Sequence, residues 1–438
     1  MGFHEDKVSR IAKQLKARKS TAPLTLKKKS ISHQVPKPKD KKHSDEKLDI
    51  RDFDEIILVD TEKCICIAEP GVTFTKVVDA TIKCGLVPVV VPELKTITIG
   101  GAVAGCSIES MSYKFGGFHD SCLEYEVVTA KGDVLICTPD NENQLLFQML
   151  HGTFGTLGII TLLKFRLIPA KSFVKVTYEK YASLEEYKNA IWAHYTKKDI
   201  DFMDGIIHSP EEYVLSTGNF VDKAPYTHSY DWMRIYFLST AKRKEDYLKT
   251  PDYFFRYNKG VTNVYPKSFI GRLMFGRFID SNNTLKIANT FTKVMPSIII
   301  PITVDTFIPF SKMDEFMQWY MEEVNHFPLW CVPYRSMRKY EWLSDEFFSK
   351  ISDELFLDIA IYGMKRKDTE HYYRIIEEKL LELGAIKTLI STNLYSENEF
   401  WKIWNKKNYD LVKRKTDPDN IFRGLYEKKC RASRGLGR

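Results

Sequence analysis

The chain has 438 residues, 44% of them apolar and 13% aromatic, which suits two domains with full cores and argues against a disordered chain. Its net charge of +8 is uneven: residues 1–48 hold 14 Lys/Arg against 5 Asp/Glu, and the remainder is close to neutral. Eight cysteines without a C-x-x-C pair argue against zinc and against a disulfide framework, and no apolar run approaches the roughly 20 residues of a membrane span.

In chain order, Val8 to Lys19 has a modest helical pattern, with Ile11 and Leu15 four apart. KKKSISHQVPKPKDKKHSDEK then reads as a basic, proline-punctuated loop. DEIILVD and CICIAEP read as strands, and Phe74, Val77, Val78 and Ile82 fall on one helical face that Gly85 terminates. LVPVVVP is an apolar strand. LEYEVVTA and DVLICTP form a pair across the Lys131-Gly132 turn, a helix covers Asn143 to Met149, and IITLLKFRLIP alternates as a strand. Residues 172 to about 400 mix strands, helices such as Lys312 to Val324, and aromatic segments such as TPDYFFRYNKG. FWKIWNKKNYDLVKRKTDPDNIF is helical until Asp417-Pro418. The fold class is α+β. The opening residues are no signal peptide, and position 6 is Asp where N-myristoylation wants Ser or Thr. The expectation is a cytoplasmic protein, with the basic arm as its route to an anionic membrane surface.

The segment TITIGGAVAGCSIESMSYKFGG places five glycines within eighteen residues, Gly100 to Gly117. It is not a Walker loop, since Cys106 stands where the lysine must be, and Ala102 breaks the Rossmann fingerprint. Glycine lets another body approach the backbone closely and tolerates φ > 0. A second knot, GTFGTLG, follows some fifty residues later. Two such knots around a strand pair suit one extended dinucleotide, FAD; tight connections between strands would use the same residues.

The segment VPELKTITIGGAVAGCSIESMSYKFGGFHDSCLEYEVV resembles the PCMH-type FAD-binding domain of the vanillyl-alcohol-oxidase superfamily, and within it the delta(24)-sterol reductase (diminuto/dwarf) branch. The matching landmarks are Pro92-Glu93-Leu94, Thr98 to Gly101, Ile108-Glu109-Ser110, Ser112 to Gly116, Tyr125 to Val128, Gly155 to Gly158, Arg166 to Lys171, Leu357 to Gly363, Glu399 to Trp404 and the ending YEKKCRASR. They span nearly the whole chain. Where the branch has G-x-G-I-E-S, this chain has Gly105-Cys106-Ser107-Ile108, one glycine fewer.

The resemblance implies an N-terminal arm over residues 1–19, a FAD-binding domain of two α+β subdomains over 20–171, an α+β cap over 172–400 and a returning segment over 401–438 that includes Asp417-Pro418 and Asn420. Pyrophosphate and ring would pass Thr98, Ile99, Gly100, Gly101, Ala102, Val103, Ala104, Gly105, Cys106, Ser107, Ile108, Glu109 and Ser110. Gly116, Phe118 and Asp120 would shape the return to the strand pair. Gly155, Thr156, Gly158, Ile159 and Ile160 would close on the ribityl and adenosine parts. Lys28, Lys29, Ser30, Ser32 and His33 would strap the pyrophosphate, with the flavin held non-covalently; exposed charge for solubility or lipid headgroups is the other use of those lysines. No metal is expected.

The implied activity is reduction of a carbon–carbon double bond in an apolar sterol or isoprenoid-like substrate, with NADPH as electron donor. An isolated alkene accepts hydride only if a proton reaches its other carbon, so an acid in a dry pocket is required. Tyr395, Glu109 and Asp358 are the candidates, with Trp330, Tyr334 and Tyr362 as pocket lining. An FAD-dependent alcohol or alditol oxidase or dehydrogenase is the alternative on the same fold. A non-catalytic protein binding membrane or nucleic acid through its arm is a third reading, although no nucleic-acid module is visible.

Overall fold

The computed structural model describes residues 2–30, 33–37, 40, 45–230, 234–260, 262 and 301–436. Among the described residues a two-stranded sheet and two larger sheets follow one another along the chain. In the first half β1 (Leu24–Lys27) and β2 (Glu46–Asp49) pair in parallel. Strands β3 (Ile56–Asp60), β4 (Ile65–Ala68), β5 (Leu86–Pro88), β6 (Cys122–Val128), β7 (Val134–Cys137) and β8 (Ile159–Pro169) make a six-stranded sheet ordered β3-β4-β8-β6-β7, with β5 on β8. β8 is the spine because Ile159, Thr161, Leu163, Phe165 and Leu167 alternate into the core. Helix α1 spans Gly2–Lys16. Helix α2 (Phe74–Thr81) buries Phe74, Val77, Val78 and Thr81; the Thr73 hydroxyl caps its start and left-handed Gly85 (φ 69°) ends the turn after it.

The second half builds an eight-stranded sheet from β9 (Phe173–Tyr181), β10 (Phe202–Ser209), β11 (Glu212–Val221), β12 (Glu245–Lys249), β13 (Ile302–Pro309), β14 (Leu329–Arg335), β15 (Leu355–Met364) and β16 (Ile386–Lys387), ordered β12-β9-β11-β10-β14-β15-β13-β16. Its two faces have different fates. Leu357, Ile359 and Ile361 of β15, with Val304 and Ile308 of β13, pack with residues of the helices Met313–Glu323 and Thr369–Leu383. The alternate set, Phe356 and Ala360 with Trp330, Val332 and Tyr334 of β14, joins the core of the first half. The second half therefore presents one face of its sheet to the first half.

The ends of the chain close the first half. Val8, Ile11, Ala12 and Leu15 of α1 pack with Val128, Ala130, Ile159 and Phe422. α1 sits directly on the Lys131-Gly132 turn, where a Cβ on Gly132 would collide with the carbonyl of Ala12. The helix of the basic arm is thus docked, and part of its charge is paired: Lys7 with Glu69 (2.9 Å), Arg10 with Asp52 (2.8 Å) and, just past the helix, Arg18 with Glu46 (2.9 Å), while Lys13, Lys16 and Lys19 stay exposed.

Several local expectations shift. The first helix starts at Gly2 and ends at Lys16, since its apolar stripe extends back through Val8 to buried His4 and Lys7. The basic loop is edged by β1 and β2. LVPVVVP is strand only to Pro88. The helix expected up to Asp417 divides into Glu397–Ile403 and Lys406–Thr416, because Trp404 turns extended (ψ 145°) and Asn405 caps a new start through its side chain.

Candidate active site

The first glycine segment is more helical than its composition suggests. Helix α3 (Ile99–Gly105) starts at Thr98, whose hydroxyl accepts from the Gly101 N–H (3.2 Å), and ends at Cys106 in the left-handed region (φ 54°). Gly100, Gly101 and Gly105 therefore have ordinary helical φ, and their use is proximity. A Cβ on Gly100 would stand 2.5 Å from Pro70 Cβ. Ile99, Ala102 and Val103 face the core, while Gly101, Ala104 and Gly105 form an accessible stripe without bulk.

The second knot lies directly against the first. Gly152 N–H donates to Val103 O (3.3 Å) and Phe154 N–H to Ala104 O (3.2 Å). Here the backbone is left-handed at Gly152 (φ 68°), Phe154 (52°) and Gly155 (70°). Gly158 is bare for packing, since a Cβ would meet Val127 Cγ1 at 2.7 Å. Thr156 and Ile159 are buried and Ile160 is half-buried. From below, Lys413 Nζ donates to Thr156 O (2.9 Å) and Lys428 Nζ to Phe154 O (2.7 Å), while Lys429 lies over the Phe154 ring (3.0 Å). Asp417 organises that returning segment, accepting from Ile421 N (2.7 Å), Phe422 N (2.8 Å) and Lys413 (2.6 Å).

The strap crosses both halves. Lys29 pairs with Asp54 (2.6 Å), His33 Nε2 hydrogen-bonds Thr96 Oγ1 (3.0 Å), Val35 N–H donates to Ile390 O (2.9 Å), and Arg423 holds Asp40 and Asp45 (2.9 and 2.6 Å). Desolvation pushes the His33 pKa down, so this ring is neutral. Lys28 is exposed, desolvation by the surrounding protein lowers its pKa, and it has no ion pair among the described residues. Ser30 is half-buried beside it; Ser32 lies outside the described residues.

Phe118, Gly116 and Asp120 do different work. Phe118 is wholly buried between Phe74 and Phe165, and its N–H donates to Ser107 O (2.9 Å). Gly116 is left-handed in φ (74°) and is packed against Asp120 and Met337. Asp120 accepts from Gly117 N–H (2.9 Å) and the Tyr340 hydroxyl (2.8 Å) and lies 3.3 Å from Arg338, tying a cap loop to the flavin-type domain.

Between these walls lies a pocket enclosing about 770 Å³ of atom-free space, part of it open to solvent. Gly105, Cys106, Ile108, Gly152 and Phe154 supply one side; Phe307, Tyr334, Phe356, Lys387, Thr388 and Trp404 supply the other. Some of its polar groups are engaged: Tyr334 and Tyr340 share a hydrogen bond (2.6 Å), and Lys387 pairs with buried Glu377 (2.7 Å), whereas Trp342 Nε1 has no hydrogen-bond partner among the described residues.

The candidate acids have different surroundings. Tyr395 is fully buried beside Trp404, with Lys387 of β16 over its ring (5.5 Å), and its hydroxyl has no hydrogen-bond partner among the described residues. Glu109 is clamped by Arg256 (2.9 Å), which also holds Asp204 (3.0 Å); Asp204 accepts from Tyr257 (2.6 Å) and Trp330 (2.9 Å). Asp358 is buried on the cap face that looks at the first domain, near Asp305 and Glu93; desolvation first, then those two carboxyls, push its pKa well up. Burial lifts Asp305 to about 6 and Glu93 to about 8. The Tyr362 hydroxyl donates to Asp305 rather than lining the pocket. Sequence reasoning missed Arg256, Asp204 and Asp305 and used Glu93 only as a landmark. The available signal was a charge inside an apolar strand, as in FMDGII and ITVDTFIP, or inside an aromatic run, as in DYFFRY.

The bare-backbone slot faces aromatic side chains of the second half, and residues 10–138 match the FAD binding domain family. The chain carries a PCMH-type FAD-binding domain. Over nearly its full length it is similar to Delta(24)-sterol reductases: 27% identical to that of Homo sapiens across 99% of this chain and 87% of the human protein, and 26% to that of Mus musculus across the same shares. A homolog from Caenorhabditis elegans is 24% identical across 87% of this chain and 78% of its own length. The fit of FAD to these residues rests on the bulk-free stripe of α3, the adjoining second knot and the ammonium of Lys28, which has no carboxylate partner among the described residues.

Proposed function

We propose that this protein is an FAD-dependent oxidoreductase that reduces a carbon–carbon double bond of a sterol or isoprenoid-like substrate, with NADPH as electron donor. The observation that carries this reading is the aromatic pocket where both glycine knots meet the cap sheet. Bound FAD supplies the hydride. Gly101, Ala104 and Gly105 leave room for it, Lys28 offsets pyrophosphate charge, and the knots fix its place against Phe307, Tyr334 and Phe356. Those rings exclude water and hold an apolar chain by burial, at about 25 cal/mol per Å² of apolar surface removed from water. Tyr334 is engaged with Tyr340, Tyr340 with Asp120 and Lys387 with Glu377, so among the described residues the pocket's buried polar side-chain atoms without a hydrogen bond are Trp342 Nε1 and the His119 ring nitrogens, set among aromatic walls that suit an apolar substrate better than a polyol. No helix of the described residues is long and apolar enough to cross a membrane. Within this reading, peripheral contact with a membrane falls to the outer end of α1, where Phe3 is 66% exposed.

The test is spectroscopic. The purified protein is expected to be yellow, to bleach anaerobically with NADPH, and to regain colour with a sterol bearing a side-chain double bond. Bleaching by an alditol, with no response to alkenes, would reject the reading in favour of the alcohol oxidase or dehydrogenase.

A further inference from the structure

Three carboxyl groups converge on the cap face beside the pocket. In the β13–β15 register Asp305 stands opposite Ala360 and Phe307 opposite Asp358, so Asp305 and Asp358 are diagonal neighbours on one face. Phe307 and Phe356, which flank Asp358 across and along the strands, both line the pocket. Glu93 approaches from the flavin-type domain, half-buried, within electrostatic reach of both. No Lys or Arg is paired with any of the three among the described residues; the nearby guanidinium of Arg256 is committed to Glu109 and Asp204.

The two aspartates are not equivalent. Asp305 receives the Tyr362 hydroxyl on Oδ1 and the Thr388 hydroxyl on Oδ2 (3.2 Å). Asp358 is 3% exposed and its Oδ1 has no hydrogen-bond partner among the described residues. Hydroxyl donors stabilise a carboxylate, whereas a bare buried oxygen favours the neutral acid. One negative charge in the pair therefore belongs on Asp305, and its presence keeps the proton on Asp358.

We propose that Asp358 is the proton donor of the double-bond reduction, with Asp305, fixed by Tyr362 and Thr388, as the charged partner that keeps it protonated. The inference rests on the reductase reading above. In the step, hydride from the reduced cofactor forms one C–H bond, the Asp358 carboxyl forms the other, the π bond breaks, and Asp358 is left as a carboxylate. Electrons come from NADPH, and the next proton comes from water through Glu93, which is partly accessible. Tyr362, Thr388 and Asp305 are positioning residues. The groups that set the titration are Asp305 from β13, Glu93 from the facing domain, Tyr362 on the same strand, and the Glu109–Arg256–Asp204 clamp beyond Glu93.

The test separates the half-reactions of the full-length, FAD-loaded protein. Asp358→Asn is expected to slow alkene-dependent recolouring of NADPH-bleached protein by about 100-fold or more, with bleaching itself changed by less than about three-fold; Asp358→Glu should restore part of the rate. Tyr362→Phe should lose rate above about pH 6, where Asp305 carries the charge, and recover below it, where both acids are protonated. Wild-type recolouring in Asp358→Asn would overturn the proposal. Should that variant fail to hold flavin, a Tyr362→Phe profile superimposable on wild type would overturn it instead. A wild-type protein that bleaches with NADPH yet ignores every alkene would remove the reductase reading, and this inference with it.

Discussion

Two buried carboxyl clusters lie close together in this protein and differ in one respect. Glu109 and Asp204 close on Arg256, a 1% exposed cation stacked on Tyr253 (4.1 Å) and Tyr257 (4.8 Å). Asp305, Asp358 and Glu93 have no such counter-ion among the described residues. The first cluster is an electrostatic clamp between the Ile108-Glu109-Ser110 landmark and the cap; the second lowers its cost by keeping a proton on Asp358 and by hydroxyl donors on the Asp305 charge. Burial alone thus does not assign a role to an acid; the cation beside it does.

The comparison breaks most visibly at Arg256. Arg256→Met strands Glu109 and Asp204 without a counter-charge and is expected to cost about 3–5 kcal/mol in denaturant unfolding, with flavin lost early. An intermediate case is supplied by His4, a titratable cation between Glu126 (3.0 Å) and Glu69 (2.8 Å). Hydrogen bonds to Glu126 and then Glu69 raise its pKa from 6.5 to about 9. The raised folded value means this stabilisation is complete below about pH 6.5 and disappears as pH climbs through about 9. Its ceiling is about 3 kcal/mol, reduced by solvent screening, and His4→Gln should flatten that part of the stability–pH curve.

Lys28 is the mirror case, a cation without a carboxylate partner among the described residues. Lys28→Ala should weaken FAD binding by about ten-fold in a fluorescence titration, and more steeply at low salt. Asp358→Asn sharpens the contrast, because removing an acid that is already neutral should move unfolding free energy by less than about 1 kcal/mol while catalysis falls. Smallest of all, Tyr395→Phe deletes a hydroxyl that has no partner among the described residues, and turnover should stay within about two-fold.

Much of the first half was legible because its signals are local. The alternation of IITLLKFRLIP, the spacing of Phe74, Val77, Val78 and Ile82, and the turn at Lys131-Gly132 each depend on neighbours within one element. The glycine knots were visible as a composition, but not the helix that contains Gly100, Gly101 and Gly105; its cap at Thr98 and its packing on Pro70 override glycine's weak propensity. The acid pair was illegible for a different reason. Asp305 and Asp358 become neighbours only through the β13–β15 register, and a one-residue slip would send Asp358 to the opposite face. Arg256 was hidden likewise, since its partners Glu109 and Asp204 belong to two different domains.

The grip of Lys413 on the Thr156 carbonyl and of Lys428 on the Phe154 carbonyl also bears on the order of synthesis. The nucleotide-binding half is translated first, yet two of its supports leave the ribosome more than 250 residues later. Until then its second loop lacks a floor, so prosthetic-group loading is a post-translational event, and a nascent chain stalled before residue 413 should be colourless.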